Sequence, residues 1–569
     1  MEKISNLKFE DFKVKAPSLK RISARLDAIL KELESSSSYT EALKAIKKWN
    51  KYTDSIQTDF SIIYVRYSLN TKDETAKKYQ DLVDNISPYI SSYSNRYIKY
   101  MLSSPYRKEL EEKLGSYVFK MYEAQVKTFD EKIIPDLVLE NQLVSKYDEI
   151  IGSAEIEFRG EKLNLSQLAK YATSEDRATR KEASLLSDNW FYEHEADIGG
   201  IYSELVKLRN KIAHELGFES FVELGYLRLG RLDYNATDVK NYRDQITREV
   251  VPLSIKLFKE QIKLLGIRNP QYYDYNLSFK SGNPKPVGDE AVLVKKAEEM
   301  YKDLSKETGD FFLFMEEHHL MDLSSRAGKV GGGYCTYFPD YKAPFIFSNF
   351  NGTEGDVNVL THEFGHAFQA YLSRNIKVGE YRSPTLEACE IHSMSMEFFA
   401  WPYMDNFFDN GDKYRYLHLK DAITFLPYGI SIDEFQHWVY ENPNATHMER
   451  CAKWKEIESK NLPNRKFDEC KAFSHGAWWM KQSHVFGTPF YYIDYTLAQV
   501  VAFQFFVEYR KNKQKTWKKY VKLCKFGGRA PFVSLLKQNN LRNPFLEGNV
   551  KKAISPLKKI LKEFDLSKF

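Results

Sequence analysis

The chain has 569 residues, more than one typical domain holds, so two or more packed lobes are expected. Hydrophobic residues make up 43% and aromatics 15%, enough for a large core, and no apolar run approaches the ~18 residues of a membrane span. Eighty-three basic against 78 acidic side chains leave +5, near balance for this size, which argues against nucleic acid or an anionic membrane as a partner.

The N-terminus, Met1-Glu2-Lys3-Ile4-Ser5-Asn6, lacks the apolar segment of a secretory leader. The five cysteines, Cys335, Cys389, Cys451, Cys470 and Cys524, are odd in number, scattered and free of any CxxC. A disulfide framework or thiolate metal cluster is therefore not expected, and a cytoplasmic location fits.

Residues 1 to about 150 read as successive amphipathic helices. Leu19–Leu33, Tyr39–Tyr52, Glu74–Leu102 and Arg107–Phe129 carry helical apolar spacing, with Pro88 and Pro105 expected to break or kink the run. Residues 154–165 alternate around Arg159-Gly160 and predict a short β-hairpin. Helices resume from Leu168 to about Leu265, where His214-Glu215 has Phe218 in place of a second histidine and reads as an ordinary helix pair. Asn269–Gly288 is a long loop rich in Pro, Gly, Asn and Tyr, and another helix runs to about His319. His318 and His319 are adjacent, a poor chelating geometry on a helix. Gly331–Phe338 and Ala343–Phe350 then read as two short strands.

The second strand leads into Leu360-Thr361-His362-Glu363-Phe364-Gly365-His366-Ala367. His362-Glu363-x-x-His366 is the HExxH pattern of zinc peptidases. Residues four apart lie about 40° apart around a helix, so both imidazoles point one way and Glu363 shares their face. Two neutral imidazoles can hold zinc while the carboxylate lies beside the open metal position. Thr353-Glu354-Gly355-Asp356 has capping-box spacing and is expected to start the helix.

A catalytic zinc needs a third protein ligand from another segment. Ser383–Glu397 offers Glu387, Glu390 and Glu397 on one stripe of an apolar helix, with His392 opposite. One carboxylate can take the metal while a neighbour holds an imidazole N–H. Cys389 reads as a small packing residue rather than a nucleophile.

HEFGHAFQAYLSR (362–374) followed by SPTLEACEIHSMSMEFF (383–399) resembles the M3 family of metallopeptidases, in its oligoendopeptidase F branch. The segments at 331–353 and 484–499 are similar to that branch as well, and the resemblance runs from roughly residue 180 to the end. It implies a mainly α, two-lobed metallopeptidase with a deep central cleft and a small sheet beside the HExxH helix. It also implies one zinc per chain held by His362, His366 and Glu390, with Glu363 as the general base. Residues 1–180 would be the N-terminal helical lobe and 181–569 the catalytic domain. Internal bonds of short peptides are the expected target; the alternatives are an exopeptidase on the same fold and a silent peptide-binding scaffold.

The stretch from His484 to Tyr495 has a glycine and then Thr488-Pro489, read as a cap and first helical residue. Tyr491 and Tyr495 stand i,i+4 on one face, and an imidazole with phenols can donate to a developing oxyanion. The resemblance turns this segment toward the zinc and implies transition-state roles for His484 and Tyr495, with Tyr491 and Tyr492 as further candidates. His475, in a Ser-His-Gly-Ala-Trp-Trp turn, is a possible cleft residue only. The strand at 343–350 is expected to offer an edge to extended substrate.

Overall fold

A computed structural model describes residues 4–569, so Met1–Lys3, on which part of the expectations for the N-terminus and for residues 1–180 fall, lie outside the described residues. Helices dominate it. The first run matches the periodicity: Leu19–Glu34, Tyr39–Leu69, Glu74–Ser103, Arg107–Leu114 and Ser116–Gln125 are helical. The third helix continues through Pro88; the chain leaves the helix at 104–106, around Pro105 as expected, and again at Gly115, whose φ of 100° leaves the helical region. Leu26, Leu30, Leu33, Ala42 and Met101 form the centre of a separate apolar cluster between these helices. A much larger cluster runs through the rest of the chain and includes Ile4, Phe9 and Phe12.

The segment after the HExxH helix joins the two. Tyr381 packs in the N-terminal cluster and accepts the Val118 N–H at 3.1 Å. Arg382 meets both carboxylate oxygens of Asp54 at 2.9 Å.

The predicted hairpin is present as β1 (Ile156–Phe158) and β2 (Glu161–Leu163), paired antiparallel about the positive-φ residues Arg159 and Gly160. A second sheet contains β3 (Met321–Ser324), β4 (Tyr334–Phe338) and β5 (Ala343–Phe350) in the order β3-β5-β4. β3 is parallel and β4 antiparallel to β5. This corrects the expectation for 343–350: both edges of β5 are taken, and β4 has an edge without a strand partner among the described residues. β3 was invisible in the sequence because four residues carry too little alternation to stand out from the preceding helix end.

β5 feeds the motif helix, Gly355–Ser373. The expected capping box does not form. Asp356 instead reaches back to the N–H groups of Asn351 and Gly352, at 2.9 and 2.8 Å, and so fixes the strand-to-helix turn. The glutamate-bearing helix is Leu386–Phe399, and a third, Tyr492–Lys511, packs along it. Gly365 sets the first contact. A Cβ there would lie 2.7 Å from both His392 O and Ser393 Cα, backbone that cannot swing away. Gly365→Ala should therefore lower stability by about 1–3 kcal/mol and loosen metal binding, because the helix carrying Glu390 must move. Thermal unfolding with metal titration checks this; an unchanged Tm would mean that the helices have room to spare.

Candidate active site and metal centre

The close helix contact brings two imidazoles and a carboxylate to one point. Glu390 Oε2 lies 3.2 Å from His362 Nε2 and 3.3 Å from His366 Nε2. All three candidate ligand atoms fall within 4.8 Å of one another. A tetrahedral zinc with bonds near ~2.0–2.1 Å separates its ligands by about 3.3 Å, so this donor set fits the ion. The fit extends to tautomers. His362 Nδ1 sits 2.6 Å from Glu397 Oε1, so that nitrogen carries the proton and Nε2 keeps its lone pair for a metal.

Glu397 is held in turn. Its other oxygen lies 2.7 Å from His418 Nε2, and the Trp401 indole N–H donates to His418 Nδ1 at 3.0 Å. An indole only donates, so His418 Nδ1 accepts and Nε2–H points at Glu397. His418 and Trp401 were missed in the sequence: each looks like ordinary apolar-helix filling, and only the fold brings them behind His362. Glu397→Gln should reduce metal affinity ~10–100-fold while leaving all three ligand atoms in place, measurable by competition with a chromogenic chelator. Unchanged affinity would show that the chain behind His362 has no hold on the metal.

Glu390 receives Ser393 Oγ–H on Oε2 at 2.9 Å and Tyr491 O–H on Oε1. Burial would raise its carboxyl, yet His366 and His362 hold it well below the usual range. Glu387 lies elsewhere. It accepts from Tyr234 and stands 3.9 Å from Arg231, a buried guanidinium that also bonds Asp494 at 2.7 Å. This cluster anchors the start of the 492–511 helix.

Glu363 is buried, its Oε2 has no hydrogen-bond partner among the described residues, and burial raises its carboxyl. A Cβ on Gly333 would come within 3.4 Å of Glu363 Oε1, so that glycine keeps the space beside the carboxylate open.

The 484–495 stretch departs from the predicted capping. Ser483–Gly487 is a short helix, Phe490 takes a φ of 68°, and the next helix begins only at Tyr492. The aromatic cluster nevertheless assembles. His484 Nε2 is 3.1 Å from Tyr495 OH, and Gln482 Nε2 is 2.8 Å from His484 Nδ1. The Gln482 amide therefore donates, and His484 presents Nε2–H to Tyr495. Burial pushes the imidazole down to about 4, which keeps it neutral. Tyr492 stacks edge-on to His484 and lines the same pocket, with no hydrogen bond to the carboxylates. His475 is not in this site; it bonds Glu195 at 2.7 Å. His214 and His318 bond backbone carbonyls, and burial pushes the Cys389 thiol up, as packing residues require.

A pocket of about 380 Å³ is lined by Glu397, His484, Tyr492 and Tyr495. It shares Asp421 with a chamber of about 760 Å³ that reaches Gly331 and Gly332 of the loop before β4.

A model of peptidase family M3 matches residues 170–553, and one of the M3 N-terminal domain matches residues 9–129. The chain belongs to peptidase family M3. Within it the chain is similar to the oligoendopeptidase F branch. This M3 chain superposes on PZ peptidase A, solved with an inhibitor, at a TM-score of 0.97 with 46% identity over 98% of this chain and 100% of that one. It superposes on a Bacillus anthracis str. Ames protein assigned to oligoendopeptidase F at 0.93, with 44% identity over 99% of each chain. It is 23% identical to group B oligopeptidase PepB of Streptococcus agalactiae over 59% of this chain and 58% of that protein. The chain spans 42–58% of the length of the curated relatives it matches. The mainly helical fold with small sheets agrees with the expected class.

Proposed function

We propose that this M3 chain is a zinc-dependent endopeptidase that cuts internal bonds of short oligopeptides, with one zinc per chain. The observation that carries this is the convergence of His362, His366 and Glu390 beside a buried glutamate with an unpartnered oxygen. His362 and His366 would bind through Nε2 and Glu390 through its carboxylate. A bound zinc ion supplies Lewis acidity that acidifies water and polarises a carbonyl. Glu363 takes a proton from the attacking water and passes it to the leaving amine. Tyr495, polarised by the His484 N–H, donates to the oxyanion, and Tyr491 holds Glu390.

The open edge of β4 fits an extended substrate backbone, which gives affinity with little sequence demand. The lobe formed by residues 1–180 and the catalytic part, 181–569, would wall the chamber and admit short unstructured peptides. Among the described residues no helix is long and apolar enough to cross a membrane, and the five cysteines are free. A cytoplasmic setting, without a membrane or nucleic-acid partner, is part of this proposal.

The test is chelation with a quenched peptide. Activity should vanish on zinc removal and return with one equivalent of zinc per chain, while denatured casein remains uncut. Full activity in a verified metal-free preparation rejects the reading.

A further inference from the structure

The chamber beside the catalytic pocket is lined by charged groups of both signs, Asp148, Glu354 and Asp421 against Lys481 and Arg465. Asp421 adds to the burial that raises the Glu354 carboxyl. Lys481 and Arg465 both lie against the Trp478 ring, with Lys481 Nζ 4.4 Å and Arg465 Cζ 4.8 Å from its centroid. Arg465 is paired with Glu458 at 3.3 Å. Lys481 differs. It has no hydrogen bond and no ion pair among the described residues, and the rings of Trp478, Phe473 and Phe191 are its neighbours.

Elsewhere three enclosed guanidinium groups meet carboxylates, Arg180 with Asp274, Arg209 with Glu140 and Arg231 with Asp494, whereas the buried Arg450 bonds the Ser203 hydroxyl and the Pro443 carbonyl. Rings cannot accept all three N–H donors of an ammonium, so Lys481 keeps donors free for a carboxylate that enters the chamber. Burial, with Arg465 alongside, lowers the ammonium to about 8, which leaves it charged at neutral pH. The residue is crowded by these rings yet solvent-exposed, and it lines the chamber. It ends the 3-10 turn Ala477–Lys481, directly before Gln482, which orients His484. One turn thus positions both the cation and the donor pair.

We propose that Lys481, assisted by Arg465, is a carboxylate subsite of the substrate chamber and makes the enzyme favour short peptides whose carboxylate reaches it. The proposal rests on the peptidase reading and adds the chemical class of the substrate. The carboxylate is either the peptide's C-terminus or an Asp or Glu side chain.

The experiment uses one cleavable sequence in three forms: free C-terminal acid, C-terminal amide, and amide with a glutamate near the C-terminus. For the zinc-loaded enzyme, kcat/KM should favour a carboxylate-bearing form over the plain amide by ~10–100-fold, mainly through KM, as expected for a charge-assisted hydrogen bond. Preference for the free acid alone identifies the terminus; recovery by the glutamate form identifies the side chain. Lys481→Met should shrink the preference to within about twofold, and Lys481→Arg should keep most of it. Equal treatment of all three forms by the unmodified enzyme overturns the proposal and needs no variant to fold. A preference that survives in Lys481→Met overturns it as well. Calorimetry with the uncut peptides and Glu363→Gln separates the two readings. No turnover and no zinc dependence reject the peptidase, whereas equal affinity for acid and amide rejects the subsite.

Discussion

Replacing Glu363 with glutamine should lower kcat by at least ~10²–10⁴-fold, the range that acid–base catalysis supplies, and leave fold and metal content intact. The substitution is nearly isosteric, and the two imidazoles and Glu390 do not depend on Glu363 for a hydrogen bond. Oε2 has no partner among the described residues, and burial raises the carboxyl. A group whose folded-state pKa is raised opposes folding once it ionises, so a neutral amide at 363 should leave the Tm of the metal-free protein unchanged or slightly higher. Glu390→Ala should behave in the opposite way: metal affinity falls first, and activity returns only at high zinc. Metal content measured with single-turnover kinetics distinguishes the two. If Glu363→Gln retains more than about a tenth of the turnover, the proton passes through another group.

The motif helix and its neighbour were legible because their chemistry is local. The HExxH spacing and the glutamate stripe sit within single helices, and a helix face can be read from 3.6-residue periodicity. The stripe left Glu387, Glu390 and Glu397 open, and resemblance alone singled out Glu390. The structure separates them by partners that lie far off in sequence: His362 and His366 for Glu390, Tyr234 and Arg231 for Glu387, and His362 with His418 for Glu397. Those contacts arise from packing, and the place of Lys481 in the chamber lining is likewise set by the fold. Local capping failed at Thr353 and at Thr488 for a related reason. Asp356 found backbone donors in the preceding turn, and Phe490 is locked at positive φ by Arg231 on its carbonyl and Gln436 on its N–H. A sequence window registers the capping residue but not its competitor.

Tyr495→Phe should lower kcat ~10²–10³-fold, the usual loss for one oxyanion donor, with KM and Tm nearly unchanged. The geometry distinguishes the three tyrosines. Tyr491 O–H is engaged on Glu390, so Tyr491→Phe should act mainly through metal affinity. Tyr492 makes ring contacts with His484, Phe425 and Tyr428, so its hydroxyl should be dispensable and its ring should not. Only Tyr495 couples to His484, whose Nδ1 is occupied by Gln482 and whose Nε2–H points at the Tyr495 oxygen. An accepted hydrogen bond leaves the phenol its own proton to give, and it polarises that O–H toward an anion. Such a donor acts on the tetrahedral oxyanion more than on the ground-state carbonyl, which places its contribution in kcat rather than KM. His484→Gln should show the same kinetic pattern, and the double variant should lose little more than either single change, because the two residues act as one unit. Additive losses would mean two independent donors. A fully active Tyr495→Phe enzyme would make the aromatic cluster a wall of the pocket and leave oxyanion stabilisation to the metal.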